Sequence, residues 1–442
     1  MSEQIHQVAI VGGGVCGTAL LYLLAEYSDL SDIVLIEKYA GVATVNSHGR
    51  NNSQTLHCGD IETNYTLEKA SKVKSAAEMI VNYTEKLANR EQVIFKYPKM
   101  VIAVGETECQ RLRERYTVFK QRFTTMQLLE KEQIAEIEPN VVMVDGQLRP
   151  EPCIALAVLD EYSAVDFNQL SESFVSQAIQ TDKALELSFN THVEEIIHQD
   201  GLFHINTDDR SIKARSVVVS AGGHSLLLAQ QMGHGLEFSC LPVAGSFYFT
   251  PKVLNGKVYT VQNDNLPFAA VHGDPDVLVE GKTRFGPTAL LIPLLERYNI
   301  STFVEFLRVL RLDKNVLNVF WDLFKVSDIR NYILKNFLFE VPGLRCWLFL
   351  KDARKIVPSL QLKDVQFAKG FGGVRPQLID KKQSKLMMGE AKINPGNGII
   401  FNMTPSPGAS SCLANAELDM RLIVGHLGGK IDEQKLQKQL HK

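Results

Sequence analysis

Gly12, Gly14 and Gly17 stand in the spacing Gly-x-Gly-x-x-Gly, and Glu37 follows twenty residues after the last of them. Glycines so spaced let a chain turn tightly, bring its backbone against a pyrophosphate and pack a helix close to a strand; a carboxylate at that distance accepts hydrogen bonds from a ribose. The chemistry implied is dinucleotide binding. The ribose is unphosphorylated, because a 2′-phosphate beside Glu37 meets like charge. Farther along, Asn51, Asn52, Gln54, Thr55 and His57 form a polar stretch without hydrophobic period. Arg375 sits between Gly373-Val374 and Pro376, where a fixed backbone offers a guanidinium fork to a carboxylate; an ordinary surface arginine is the alternative. His272 lies between an apolar run at 266–271 and a Gly273-Asp274-Pro275 turn, at an element end, and an imidazole's reference pKa near ~6.5 suits proton transfer. A hydrogen-bonded structural histidine is the other reading.

The elements that must position these groups are visible around them. Residues 7–11 are a β-branched run entering the glycines without a spacer, Val15, Ala19, Leu20, Leu23 and Leu24 recur at helical spacing, and 33–36 form a second strand ending at Glu37. This is a complete βαβ context. Late in the chain, 398–403 read as a strand, 404–411 as a small-residue turn, and Leu413, Leu418, Leu422 and Ile423 as a helix. That turn is either a second anion-tolerant helix N-terminus or a plain capped helix start. Residues 193–197, 202–206 and 212–220 read as strands leading to Ala221-Gly222-Gly223, a return to the nucleotide domain, and 128–138 read as a helix ended by Pro139.

Across 442 residues, Lys+Arg 47 against Asp+Glu 50 leaves a net charge of −3, and 45% hydrophobic with 22% charged residues is a globular balance, which excludes a nucleic-acid polycation and disorder. The first apolar run, 8–25, is interrupted by glycines and no other reaches the ~18 residues of a membrane span. The first residues lack the positive flank of a signal peptide. Seven scattered cysteines without a CxxC pair argue against a disulfide framework and a metal site, so a reduced, cytoplasmic protein is expected.

Several segments carry a family resemblance: Asn51-Asn52-Ser53-Gln54-Thr55-Leu56-His57-Cys58-Gly59 with Glu62-Thr63-Asn64-Tyr65; Val271-His272-Gly273-Asp274 leading to residues 281–289; Gly373-Val374-Arg375-Pro376-Gln377; and Ser406-Pro407-Gly408-Ala409-Ser410. In this order the chain resembles the malate:quinone oxidoreductases, within the superfamily of glycine and D-amino-acid oxidases. L-2-hydroxyglutarate oxidases are the next resemblance. The resemblance implies an α/β (mixed α+β) fold: an interrupted Rossmann-type FAD-binding domain at 1–90, 151–228 and 366–442, and an antiparallel-sheet substrate domain with helices at 91–150 and 229–365. It implies FAD, contacted by Gly12, Gly14, Val15, Cys16, Gly17, Glu37 and Lys38, by Asn51, Asn52, Ser53, Gln54 and Thr55, by Val193, Ala221 and Gly222, and by Pro407, Gly408, Ala409 and Ser410.

The reaction implied is oxidation of (S)-malate to oxaloacetate with a quinone as acceptor; the alternatives are an L-2-hydroxyglutarate oxidase or dehydrogenase, another hydroxy- or amino-acid oxidase, and a nucleotide-binding scaffold without turnover. His272 is then the favoured base, His57 a second base or a carboxylate partner, and Arg375 the carboxylate clamp. Arg284 or Lys282 is the nearest second cation for a dicarboxylate. Covalent attachment of the flavin through His57 or Cys58 stays open. A quinone partner also implies a bilayer contact. Residues 301–351 carry eight Lys/Arg against five Asp/Glu, both tryptophans of the chain (Trp321, Trp347) and many Leu and Phe. Such a segment at 303–350 suits peripheral docking on the inner face of the cytoplasmic membrane, or packing on its own domain.

Overall fold

The computed structural model describes residues 4–262, 270–387, 391–404 and 407–442. Most of the lead-in expected at 266–271, and Pro405 and Ser406 of the late turn, lie outside the described residues.

The first sheet is built where the glycine motif lies. Strand β1 (Ile5–Val11) pairs in parallel with β2 (Asp32–Ile36) on one side and with β3 (Ser211–Val219) on the other. Ala184–Ser188 extends the sheet beyond β2; Leu202–Thr207 and Val193–Gln199 form the meander beside β3, and Ile399–Met403 runs parallel to the C-terminal end of β3. Helix α1 (Val15–Tyr27) is apolar on nearly every face because it is covered on every face, by the sheet and by the helices Phe167–Ile179 and Cys412–Leu427. Burying each of its leucines stabilises the domain by about 1.5–3 kcal/mol. Two glycines where β1 passes into α1 tolerate no side chain. Gly12 has φ +108°, and a Cβ on Gly17 would lie 1.9 Å from the carbonyl oxygen of Gly12.

A second, mixed sheet stands beside the first. Its core is β4 (Lys257–Thr260), β5 (His272–Pro275) and β6 (Lys282–Gly286), with β4 parallel to Lys99–Val104, which in turn pairs with Cys153–Val158. A smaller antiparallel sheet joins Phe238–Ala244 to β7 (Val374–Asp380). The strand Cys153–Val158, on the nucleotide side of a boundary drawn at 151, thus belongs to the second sheet, as does Gln366–Phe367.

Two local expectations are corrected. Leu128, Leu129 and Glu130 lie in a strand, Gln127–Glu130, paired with Cys153–Val158, and the helix starts only at Lys131, behind a Glu130/Gln133 capping box; Pro139 opens a new helical turn. The cross-strand pairing overrides helix-forming composition. Gly273, Asp274 and Pro275 form the body of β5 rather than a turn, held between β4 and β6. The 303–350 segment forms four helices: α2 (Thr302–Leu310), α3 (Lys314–Lys325), α4 (Ser327–Leu338) and α5 (Arg345–Ile356).

Candidate active site

A cavity of about 550 Å³ runs along the C-terminal ends of the first sheet and beneath the second. Its wall takes in Gly12, Gly14, Val15, Cys16, Glu37 and Lys38 from the first βαβ unit, and Asn51, Asn52, Ser53, Thr55 and His57 from the loop that follows. Val193, Ala221 and Gly222 line it beside the central strands, and Pro407, Gly408, Ala409 and Ser410 line it ahead of the last long helix. Two of the expected contacts are absent from the wall. Gly17 shapes the turn beneath it, and Gln54 turns away, donating to Gly49 O (3.1 Å) and accepting from Val277 N (3.0 Å).

At the ribose end, the Glu37 carboxylate accepts from Gly13 N (2.7 Å) and Tyr39 N (3.0 Å). Burial pushes its carboxyl above the usual range against the pull of those two N–H groups. Lys38 is ion-paired with Glu296. In the middle, the loop is braced by its own amides: Asn51 Nδ2 donates to Val45 O (2.8 Å), and Asn52 Nδ2 to Asn46 O (3.1 Å) and His48 O (3.0 Å). Asn51 Oδ1, by contrast, is buried and has no partner.

The far end collects the reactive groups. Arg375, on β7, lines the cavity together with Gly373, Val374 and Pro376, and no carboxylate pairs with it among the described residues. Burial lowers its pKa, and the titratable groups facing it are the phenols of Tyr332 and Tyr259, which burial keeps neutral. Tyr259 hydrogen-bonds Thr55 Oγ1 (2.8 Å) and stacks on His272 with ring centroids 4.2 Å apart. Tyr259 is not in the cavity wall, and neither is His272. It is buried behind Tyr259, its Nε2 is without a hydrogen-bond partner, and its pKa is held well below the ordinary value by burial first and by the Lys257 ammonium second. Lys257 lies between Asp274 (3.4 Å) and Thr55 Oγ1 (3.3 Å), its own pKa lowered by burial.

Neither residue expected to supply a second cation lines the cavity. Arg284 is fully buried, donates to Gly49 O (3.0 Å), pairs with Asp276 (3.2 Å) and lies over the Phe247 ring; Lys282 is on β6, away from the wall. Cys58 is buried outside the wall, its thiol pushed up to about 12 by burial. Among the described residues one trio has metal-ligand spacing, Cys58, Asp60 and Glu161, and the Lys99 ammonium sits against it, 2.6 Å from Asp60 and 3.7 Å from Glu161.

The sequence model of malate:quinone oxidoreductases matches residues 4–442. The chain belongs to the malate:quinone oxidoreductase family. It is 50% identical to the probable malate:quinone oxidoreductase of Campylobacter jejuni over the full length of both chains. It is 45% identical to the malate:quinone oxidoreductase of Helicobacter pylori strain 26695, over 100% of this chain and 98% of that one. An L-α-glycerophosphate oxidase from Mycoplasma pneumoniae with FAD bound shares the fold, with a TM-score of 0.64 at 21% identity over 97% of this chain and 96% of that one. The cofactor of a malate:quinone oxidoreductase is FAD. The cavity fits it on two independent observations. Glu37 presents a backbone-held carboxylate where a ribose lies in a βαβ dinucleotide site, and the orphaned Asn51 Oδ1 is an acceptor left for a ligand N–H, such as that of a flavin pyrimidine.

Neither Tyr259 and Tyr332 beside Arg375 nor Lys257 behind Thr55 carries a local motif. They reach the site by strand pairing and helix packing, and only a prediction of those long-range contacts would have found them.

Proposed function

We infer that this protein oxidises malate to oxaloacetate through bound FAD and delivers the electrons to a quinone. The observation that carries the reading is Arg375: an unpaired guanidinium, partly stripped of water, in the wall of a dinucleotide cavity of a malate:quinone oxidoreductase. Such a group binds a carboxylate in bidentate fashion and fixes the 2-hydroxy acid by one end. FAD, when bound, accepts the hydrogen and electron pair from C2 of that acid. The protein's own contribution is position and proton handling. Holding the reacting carbon near ~3–3.5 Å from its acceptor supplies about 7–11 kcal/mol of the barrier. A neutral imidazole takes the hydroxyl proton, and both His57, in the wall, and His272, behind Tyr259, are placed in this region.

The quinone reading includes a docking surface. No helix among the described residues is long and apolar enough to cross a membrane. Helices α2–α5 nonetheless leave Phe303, Leu307, Leu317, Trp321, Phe337 and Trp347 exposed, in a segment with three more positive than negative side chains. Aromatic and basic side chains displayed together support peripheral binding to an anionic bilayer, on the inner face of the cytoplasmic membrane.

The test is steady-state turnover of the FAD-loaded protein with malate and either a short-chain quinone or oxygen. Rapid malate-dependent quinone reduction, with oxygen a far poorer acceptor, is the expected result. Electron transfer to oxygen alone overturns the quinone assignment.

A further inference from the structure

His57 has a buried partner, the carboxylate of Glu62. Its Nδ1 lies 2.6 Å from Glu62 Oε1, and the two side chains are 15% and 9% exposed. Both are anchored through their backbones. His57 N donates to Ser410 Oγ (2.9 Å), while Arg115 donates to the carbonyls of Glu62 (2.7 Å), Thr63 (3.3 Å) and Tyr65 (3.0 Å). The imidazole therefore has little freedom to turn. Burial pushes the Glu62 carboxyl up, but the hydrogen bond from His57, with the Lys99 ammonium nearby, more than offsets it, and the group sits below the usual carboxylate range. An ionised carboxylate only accepts, so Nδ1 carries the proton of the pair, and in the neutral imidazole the lone pair is then on Nε2. The imidazole is in the cavity wall, and Nε2 has no protein partner among the described residues. His272 offers no such arrangement: it lies outside the wall, and its nearest carboxylate, Asp274, is 3.8 Å away.

We propose that Glu62 is the positioning residue for His57, holding it in the Nδ1–H tautomer so that Nε2 takes the hydroxyl proton of the 2-hydroxy acid. The O–H bond breaks with its proton going to Nε2, the C2–H hydrogen leaves with its electron pair to the flavin, and the 2-oxo acid remains. Glu62 stays ionised and offsets the charge of the imidazolium that forms, the role an aspartate plays behind the histidine of a hydrolase triad. The proposal rests on the malate-oxidation reading.

The experiment compares FAD-loaded wild type, Glu62→Gln, Glu62→Asp, His57→Ala and the double variant His57→Ala/Glu62→Gln, in anaerobic flavin reduction by malate. Side-chain ¹⁵N NMR of the histidines without substrate supplies a readout independent of turnover. Glu62→Gln slows flavin reduction by about 10²–10⁴-fold with the malate KM nearly unchanged, and Glu62→Asp recovers at least about tenfold of that loss. The double variant is no slower than His57→Ala, because residues acting as one unit are not additive. In the NMR spectrum Glu62→Gln moves the His57 proton from Nδ1 to Nε2. Equal losses in the Gln and Asp variants, additive losses in the double variant, or an unchanged tautomer each overturn the proposal. A wild type that malate does not reduce defeats the functional reading instead, while the NMR comparison still reads the pair.

Discussion

Arg375 carries a charge that no carboxylate of the described residues neutralises, and burial makes that charge costly until an anion arrives. Its replacement therefore acts on substrate binding. Arg375→Lys keeps the charge but loses the planar fork, and lowers kcat/KM for malate by about 10²-fold, a loss of about 2–5 kcal/mol being usual when a buried charged hydrogen-bonding partner is truncated. Steady-state kinetics measure it, with an unchanged flavin spectrum showing that the cavity is intact. At this scale the sequence is most legible where chemistry is local. Glu37 and the glycines declare themselves by spacing, since turn, helix N-terminus and carboxylate all lie within one βαβ unit. Arg284 was legible as a cation but not as an occupied one, because its partner Asp276 and its acceptor Gly49 are fixed by the tertiary fold. Glu62 was part of a recognisable segment, yet its role depends on the direction in which His57 Nδ1 points.

Elements were legible where period and composition agree. The strand–glycine–helix–strand opening has the apolar periodicity its burial requires, and each part of it forms. Residues 128–130 have the composition of a helix and form a strand, since pairing with Cys153–Val158 outweighs a propensity difference of well under ~1 kcal/mol per residue. Gly273, Asp274 and Pro275 are turn-forming types, yet they sit between two strands whose register is set by the rest of the sheet. The helices α2–α5 show what the composition of 303–350 leaves open, namely which side chains face out. On α3, Val316 and Val319 point inward, whereas Leu317, Trp321 and Phe324 recur on one exposed face. Replacing Leu317 and Trp321 with Glu is expected to abolish co-sedimentation with anionic vesicles while leaving malate-dependent flavin reduction in solution intact. Unchanged vesicle binding removes α3 from the docking surface.

At the scale of the whole molecule, three sheets converge on one cavity. The first supplies the dinucleotide cradle at its carboxyl edge, the small antiparallel sheet supplies Arg375, and the mixed sheet places Tyr259, His272 and Lys257 behind the wall, next to Thr55. Helix α4 links this centre to the surface, with Tyr332 beside Arg375 and with Leu334, Phe337 and Leu338 exposed. On the proposed reading, one molecule combines a carboxylate clamp, a flavin site and an apolar, basic docking face, the three requirements of moving electrons from a soluble hydroxy acid to a lipid-soluble acceptor. The most direct measurement is an anaerobic titration of the FAD-loaded protein with malate and, separately, with L-2-hydroxyglutarate, following the oxidised-flavin absorption band. The account predicts stoichiometric bleaching by malate, with oxaloacetate as product, and little or none by L-2-hydroxyglutarate. Bleaching by L-2-hydroxyglutarate alone, or a flavin that neither acid reduces, contradicts it.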